Sequence, residues 1–133
     1  MNILRANSQL INVNPGTFTD HQTSEILNPE TGLWEDGPAL PISFKLGCAI
    51  ALNDEESKHL AVPGQTAETY TYDWLGSQVW EPAGDRSQIG NSFACTRALV
   101  EGGAREVVVV AGGKNFGLSM TTVDFYNIQS GSW

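Results

Sequence analysis

The side chains best suited to chemistry in this 133-residue chain are two histidines, two cysteines, a glycine pair ahead of a lysine, and scattered carboxylates. His21 and His59 are far apart and belong to no Cys-x-x-Cys or His-x-x-x-His spacing, so no metal site is expected. Residues 110–114 place glycines between a β-branched run and Lys114, as a phosphate-binding loop does. The glycine such a loop needs six positions before the lysine is replaced by Val108, Asn115 follows where Ser or Thr would stand, and no helix is expected next. Glu25, Asp73 and Asp124 recur in similar strand-like settings. This speaks for shared turn or loop hydrogen bonding, since acid–base work needs one asymmetric pair. Cys48 and Cys95 read as two small buried thiols, with a disulfide or a reactive thiol as the alternatives. No catalytic residue and no cofactor is expected.

Charge and composition narrow the class further. A net charge of −8, with seven basic residues and none clustered, argues against nucleic acid, whose phosphates require grouped Lys and Arg. At 41% hydrophobic and 17% charged residues the chain is expected to fold, and it has no apolar run long enough to cross a bilayer as a helix. Residues 1–12 lack the apolar core of a secretory signal. With two cysteines and no Asn-x-Ser/Thr sequon, the chain leans towards a reducing, cytoplasmic setting.

The elements that would position these residues are strands. Val107, Val108, Val109 and Val110 form a β-branched run closed by Gly112 and Gly113, and residues 122–128 alternate towards Trp133. The arrangement recurs. Trp34, Trp80 and Trp133 are separated by 46 and 53 residues, Gly32 and Gly131 each stand two before a tryptophan, and Asn28 and Asn127 each stand six before one. In the middle copy Tyr70, Tyr72 and Asp73 occupy the corresponding strand, and one extra residue is needed to reach Trp80. Short apolar runs at 10–13, 60–62 and 107–111 precede these strands, closed by Pro15-Gly16, Pro63-Gly64 and Gly112-Gly113. No stretch keeps a helical period, and glycines and prolines interrupt throughout.

These residues resemble the kelch repeat, in which a hydrophobic strand ends in Gly-Gly and an alternating strand leads through a glycine turn to a tryptophan. The repeat spans about 50 residues and supplies one propeller blade. The resemblance implies an all-β chain of four-stranded antiparallel kelch-type β-propeller blades forming an incomplete propeller, with Trp34, Trp80, Gly112, Gly113 and Trp133 as structural repeat positions. The corresponding units are a partial blade at 8–41 and blades at 42–86 and 87–133, and further blades are expected in the same parent chain. The innermost strands are then 47–52 and 90–96, carrying Cys48 and Cys95 on equivalent strands of neighbouring blades. Loops follow them at 53–59 and 101–105, and the stretch 114–121 is a loop.

The resemblance also implies a function: a non-catalytic protein–protein interaction module, serving substrate recognition within a larger scaffold or a ubiquitin-ligase adaptor. One propeller face is built from loops that hold Lys45, Arg86, Lys114 and Phe116, and Arg86, Lys114 and Phe116 are the expected contacts for a protein partner, because arginine and aromatic anchors dominate interface energetics. The opposite rim, with Asp54, Glu101 and Glu106, is acidic. The alternatives are a segment of a copper-dependent sugar oxidase whose catalytic residues lie elsewhere, and a carbohydrate-binding propeller. With incomplete blades, Phe44, Phe93 and Phe125 are expected to lack partners, so that the chain by itself is marginally stable and either self-associates or binds the hydrophobic dye ANS.

Overall fold

The computed structural model describes residues 22–28, 31–43, 46–55 and 57–133. The strand expected at 10–13 and residues Phe44 and Lys45 lie outside them. The described residues form antiparallel sheets with no helix beyond a single 3-10 turn, and none of the sheets closes on itself. Strands β1 (Glu25–Asn28) and β2 (Leu33–Asp36) make a hairpin. Strands β3 (Cys48–Ala51), β4 (Lys58–Val62), β5 (Glu68–Asp73) and β6 (Trp80–Asp85) form a four-stranded meander in that order. Strands β7 (Ala94–Val100) and β8 (Arg105–Ala111) follow, then a small hairpin of β9 (Lys114–Asn115) and β10 (Leu118–Ser119), and finally β11 (Val123–Asn127). The valine-rich β8 lies between β7 and β11 in a three-stranded sheet.

The turns explain the tryptophan spacing. Asn127 Oδ1 accepts the backbone N–H of Gln129 and of Ser130, each at 3.0 Å, and Asn28 Oδ1 accepts that of Thr31 at 3.3 Å. Asp73 Oδ1 accepts from Leu75 and Gly76 at 3.1 and 2.8 Å. Each is a side chain mimicking a backbone turn, which Asn and Asp do well because their acceptor reaches two or three residues ahead. The backbone carbonyls of Asn28 and Asn127 receive Gly32 and Gly131, four residues on, at 2.8 and 2.9 Å. That of Asp73 receives Gln78, five residues on, at 2.9 Å. The wider middle turn absorbs the extra residue before Trp80.

Strand alternation splits the core in two, because neighbouring side chains point to opposite faces. Ala61 of β4, with Tyr70, Tyr72 and Trp80, packs against Ile26 and Leu40 of the first hairpin and its following loop. Leu60 and Val62 of the same strand point the other way and pack with Val108, Val110 and Tyr126 of the three-stranded sheet. Two indoles fasten these seams. Trp80 Nε1 donates to the Pro38 carbonyl at 3.1 Å, and Trp133 Nε1 donates to Thr69 Oγ1 at 2.9 Å. Trp80 stacks obliquely on Tyr72 at 5.2 Å, and Trp133 meets Tyr126 edge-on at 5.3 Å.

Several boundaries differ from expectation. The strand expected at 90–96 is β7, beginning at Ala94, because Asn91 pairs instead with Lys114 in an isolated bridge and Ser92 takes a positive φ of 54°. The loop expected at 53–59 is shorter, since His59 already pairs with Ala51 and Tyr72. Its turn is held by Asn53, whose Nδ2 donates to Ser57 Oγ at 2.7 Å and whose Oδ1 accepts from the Ser57 and Lys58 amides. Cys48 and Cys95 are not free thiols: they form a disulfide with a Cα–Cα distance of 6.5 Å across the second seam. Phe93, expected to lack partners, packs half-buried against the second core cluster.

Candidate functional site

The expected contact residues fall on the segments that surround Gly90 and the β9–β10 hairpin. Asn115 and Leu118 close that hairpin as a cross-strand pair, leaving Phe116 and Gly117 as its two turn residues, at φ 48° and 81°. Positive φ at both central positions is the primed turn whose twist matches a hairpin, and it normally selects Asn, Asp or Gly. A phenylalanine there is strained, and its side chain is 98% exposed.

The base of the hairpin is firmly anchored. Lys114 and Asn91 exchange backbone hydrogen bonds of 2.9 Å in both directions, and the Met120 amide donates to the Gly113 carbonyl at 2.9 Å. Gly113 sits at φ 98°, and a Cβ built there would lie 2.6 Å from the Asn91 carbonyl oxygen. Only glycine fits this crossing, which is the physical content of the diglycine. Phe116 and Leu118 stand exposed at the tip of this anchored hairpin, with Lys114 exposed at its base.

Arg86 does not join them. It is 5% exposed, with its guanidinium 4.4 Å above the Phe93 ring and Nη2 donating to the Thr66 carbonyl at 3.2 Å. Gly90's carbonyl lies 3.5 Å from the same nitrogen. Burial disfavours its charged form and Asp124 counteracts that effect, so the charge is kept in a largely apolar place. Arg86 ties the loop after β4 to the segment entering β7, and its expected role in partner contact is corrected to a structural one. Lys45 lies outside the described residues.

The shared role expected of the three carboxylates separates by position. Asp73 shapes its turn, whereas Asp124 accepts a hydrogen bond from Ser87 Oγ, linking β11 to the segment after β6. At the opposite rim Arg97 of β7 pairs with Glu106 and, at 2.6 Å, with Asp54 of the β3–β4 loop. Those hydrogen bonds raise the Arg97 pKa. Sequence reading gave Arg97 no part, because its partner Asp54 is distant in the chain.

His59 is buried, neither ring nitrogen has a hydrogen-bond partner, and burial lowers its pKa from 6.5 to about 4. Tyr70 and Tyr72 are buried core residues whose phenol pKa values burial raises; Tyr70 also donates to Glu68 at 3.3 Å. Among the described residues no group of three His, Cys, Asp or Glu side chains could hold a metal ion. No helix among them is long and apolar enough to cross a membrane. The exposed surface that stands out chemically is therefore the hairpin tip, which can insert an aromatic ring and a leucine into a partner. The chain matches no family model and no curated protein.

Proposed function

We propose that the chain is part of a kelch-type β-propeller and serves as a non-catalytic protein-interaction module, with the β9–β10 hairpin as its contact element. One observation carries this reading: Phe116 stands 98% exposed in a left-handed conformation on an anchored hairpin, beside Leu118 at 75%. An apolar tip that is both strained and solvated lowers stability, and a partner's apolar cleft would recover the cost of exposing it. The blade reading is supported by the four-stranded meander, by the three similar side-chain turns at Asn28, Asp73 and Asn127, and by the tryptophan that follows each.

The disulfide supports an oxidising compartment over the cytoplasmic one expected from composition, because such bonds persist mainly outside the reducing cytosol. The hairpin reading is tested by comparing proteins captured by the parent chain and by a Phe116→Ser, Leu118→Ser variant of equal thermal stability. A specific set should be lost with the variant, and direct binding of one purified member should weaken at least tenfold. Identical capture and affinity for both would refute the assignment.

A further inference from the structure

Strands β3 and β7 each open a different sheet, and among the described residues no strand ladder joins them. The Cys48–Cys95 disulfide links them, and beside it the Ser92 amide donates to the Leu46 carbonyl at 3.0 Å. Leu46 stands two residues before Cys48 and Ser92 three before Cys95, so 46–48 and 92–95 form a ring closed by sulfur and by that hydrogen bond. Leu46 and Ser92 both have positive φ, 49° and 54°, a conformation that opposes a side chain. One hydrogen bond between two exposed residues is a weak restraint on such a pair, whereas the covalent bond a few residues away is a strong one.

The same segment carries the base of the β9–β10 hairpin. Asn91, next to Ser92, exchanges both backbone hydrogen bonds with Lys114. Gly113 crosses the segment so closely that a Cβ there would lie 3.1 Å from the Phe93 Cβ. Phe93 is two residues before Cys95 and half-buried. Through residues 91–95 the disulfide therefore fixes the support on which Phe116 and Leu118 stand. Cys48 and Cys95 are each only half-buried, so a thiolate can reach the bond.

We infer that the Cys48–Cys95 disulfide is a redox switch for the β9–β10 hairpin: oxidation assembles its support, and reduction by a dithiol releases it. One thiolate of the dithiol attacks a cysteine sulfur, breaking the S–S bond and forming a mixed disulfide, while the other cysteine leaves as a thiolate and takes up a proton. The second thiolate of the dithiol then displaces the remaining cysteine, which is protonated in turn. Cys48 and Cys95 thereby gain two electrons and two protons, and the reductant departs as a cyclic disulfide. A chain made in a reducing setting would gain its contact element only on reaching an oxidising one. The effect on binding rests on the hairpin reading; the loosening of the hairpin base does not.

Residue-resolved hydrogen exchange of the chain with and without dithiothreitol tests the switch. The two forms are compared at equal global stability, the oxidised chain being brought with urea to that of the reduced one. The amides of Asn91, Ser92, Lys114 and Met120 should exchange about tenfold or more faster in the reduced chain, while those of Leu60 and Val108 match. A Cys48→Ser, Cys95→Ser variant should behave as the reduced chain does, and reoxidation of the parent should restore protection. Equal exchange at the hairpin base in both forms overturns the inference. So does a reduced chain that unfolds as a whole, because the bond is then a general staple. A protein captured through Phe116 and Leu118 should bind the oxidised chain about tenfold more tightly than the reduced one. Equal affinity overturns the switch and leaves the hairpin reading intact, whereas capture that ignores Phe116 and Leu118 refutes the hairpin reading and leaves the exchange result standing.

Discussion

Removing the imidazole of His59 should abolish a distinct acid sensitivity of this fold. The ring is buried on β4, between Ala51 and Tyr72 on the adjacent strands, with both nitrogens unpartnered. Burial lowers its pKa from 6.5 to about 4, so the folded chain holds the neutral form where the unfolded chain takes up a proton. Stability from this group is complete above about pH 6.5, declines as pH falls, and levels off below about pH 4, where both states are protonated. At about 1.4 kcal/mol per unit of separation, the full loss is about 3 kcal/mol. His59→Leu removes the titration while filling a similar volume, and near pH 7 it should be neutral or stabilising because it deletes two unsatisfied polar atoms. Urea unfolding of both proteins between pH 7.5 and 4 provides the assay. Every other group is common to both proteins, so the difference between the curves isolates His59. A difference that stays flat across that window would refute the argument.

Replacing Cys48 and Cys95 by serine should lower the urea-derived stability by about 2–4 kcal/mol, since the bond closes a loop of 47 residues; thiol titration of the denatured, unreduced chain should find no free sulfhydryl. Gly113→Val should cost about 2–3 kcal/mol because positive φ and the Asn91 carbonyl both oppose a side chain, whereas Gly32→Ala, where nothing lies within 4 Å, should cost about 1 kcal/mol. Equal losses would refute the packing part of that argument. Trp80→Ala should cost about 3–5 kcal/mol as truncation of a packed, hydrogen-bonded aromatic, measured by thermal or urea melts, and Trp34→Ala, in dilute monomeric protein, should cost under about 1 kcal/mol.

Much of the strand pattern was legible in the residues because it depends on local chemistry. The valine run specified β8, Asp73 was expected to bond a turn, and the diglycine marked the tight crossing, whereas the turn-forming role of Asn28 and Asn127 showed only in the hydrogen bonds. Long-range pairing decided what could not be read. β7 starts late because Asn91 is engaged by Lys114, more than twenty residues away, and the loop expected at 114–121 contains a hairpin that the same bridge anchors. Alternation showed that each strand has two faces but not which neighbour each face meets, so the disulfide stayed one option among three until the sheets were stacked. Arg86 misled for a related reason: its charge suggested the surface, yet the Phe93 ring and two backbone carbonyls offered it an interior place. Phe116 and Lys114 were found correctly as exposed side chains, while Leu118 was missed because its exposure depends on the hairpin.

The two seams are unequal, and that inequality sets an order of local opening. At the first seam Trp80 reaches back to the Pro38 carbonyl over a small apolar cluster. The second seam adds a covalent bond between Cys48 and Cys95 and the Arg97–Asp54 ion pair to its own indole contact. Thermal fluctuations should therefore release the β1–β2 hairpin while the two larger sheets remain joined. Backbone amides of Ile26 and Leu27 would exchange with deuterium well before those of Leu60 and Val108, making the chain behave as a mobile flap hinged on a cross-linked body.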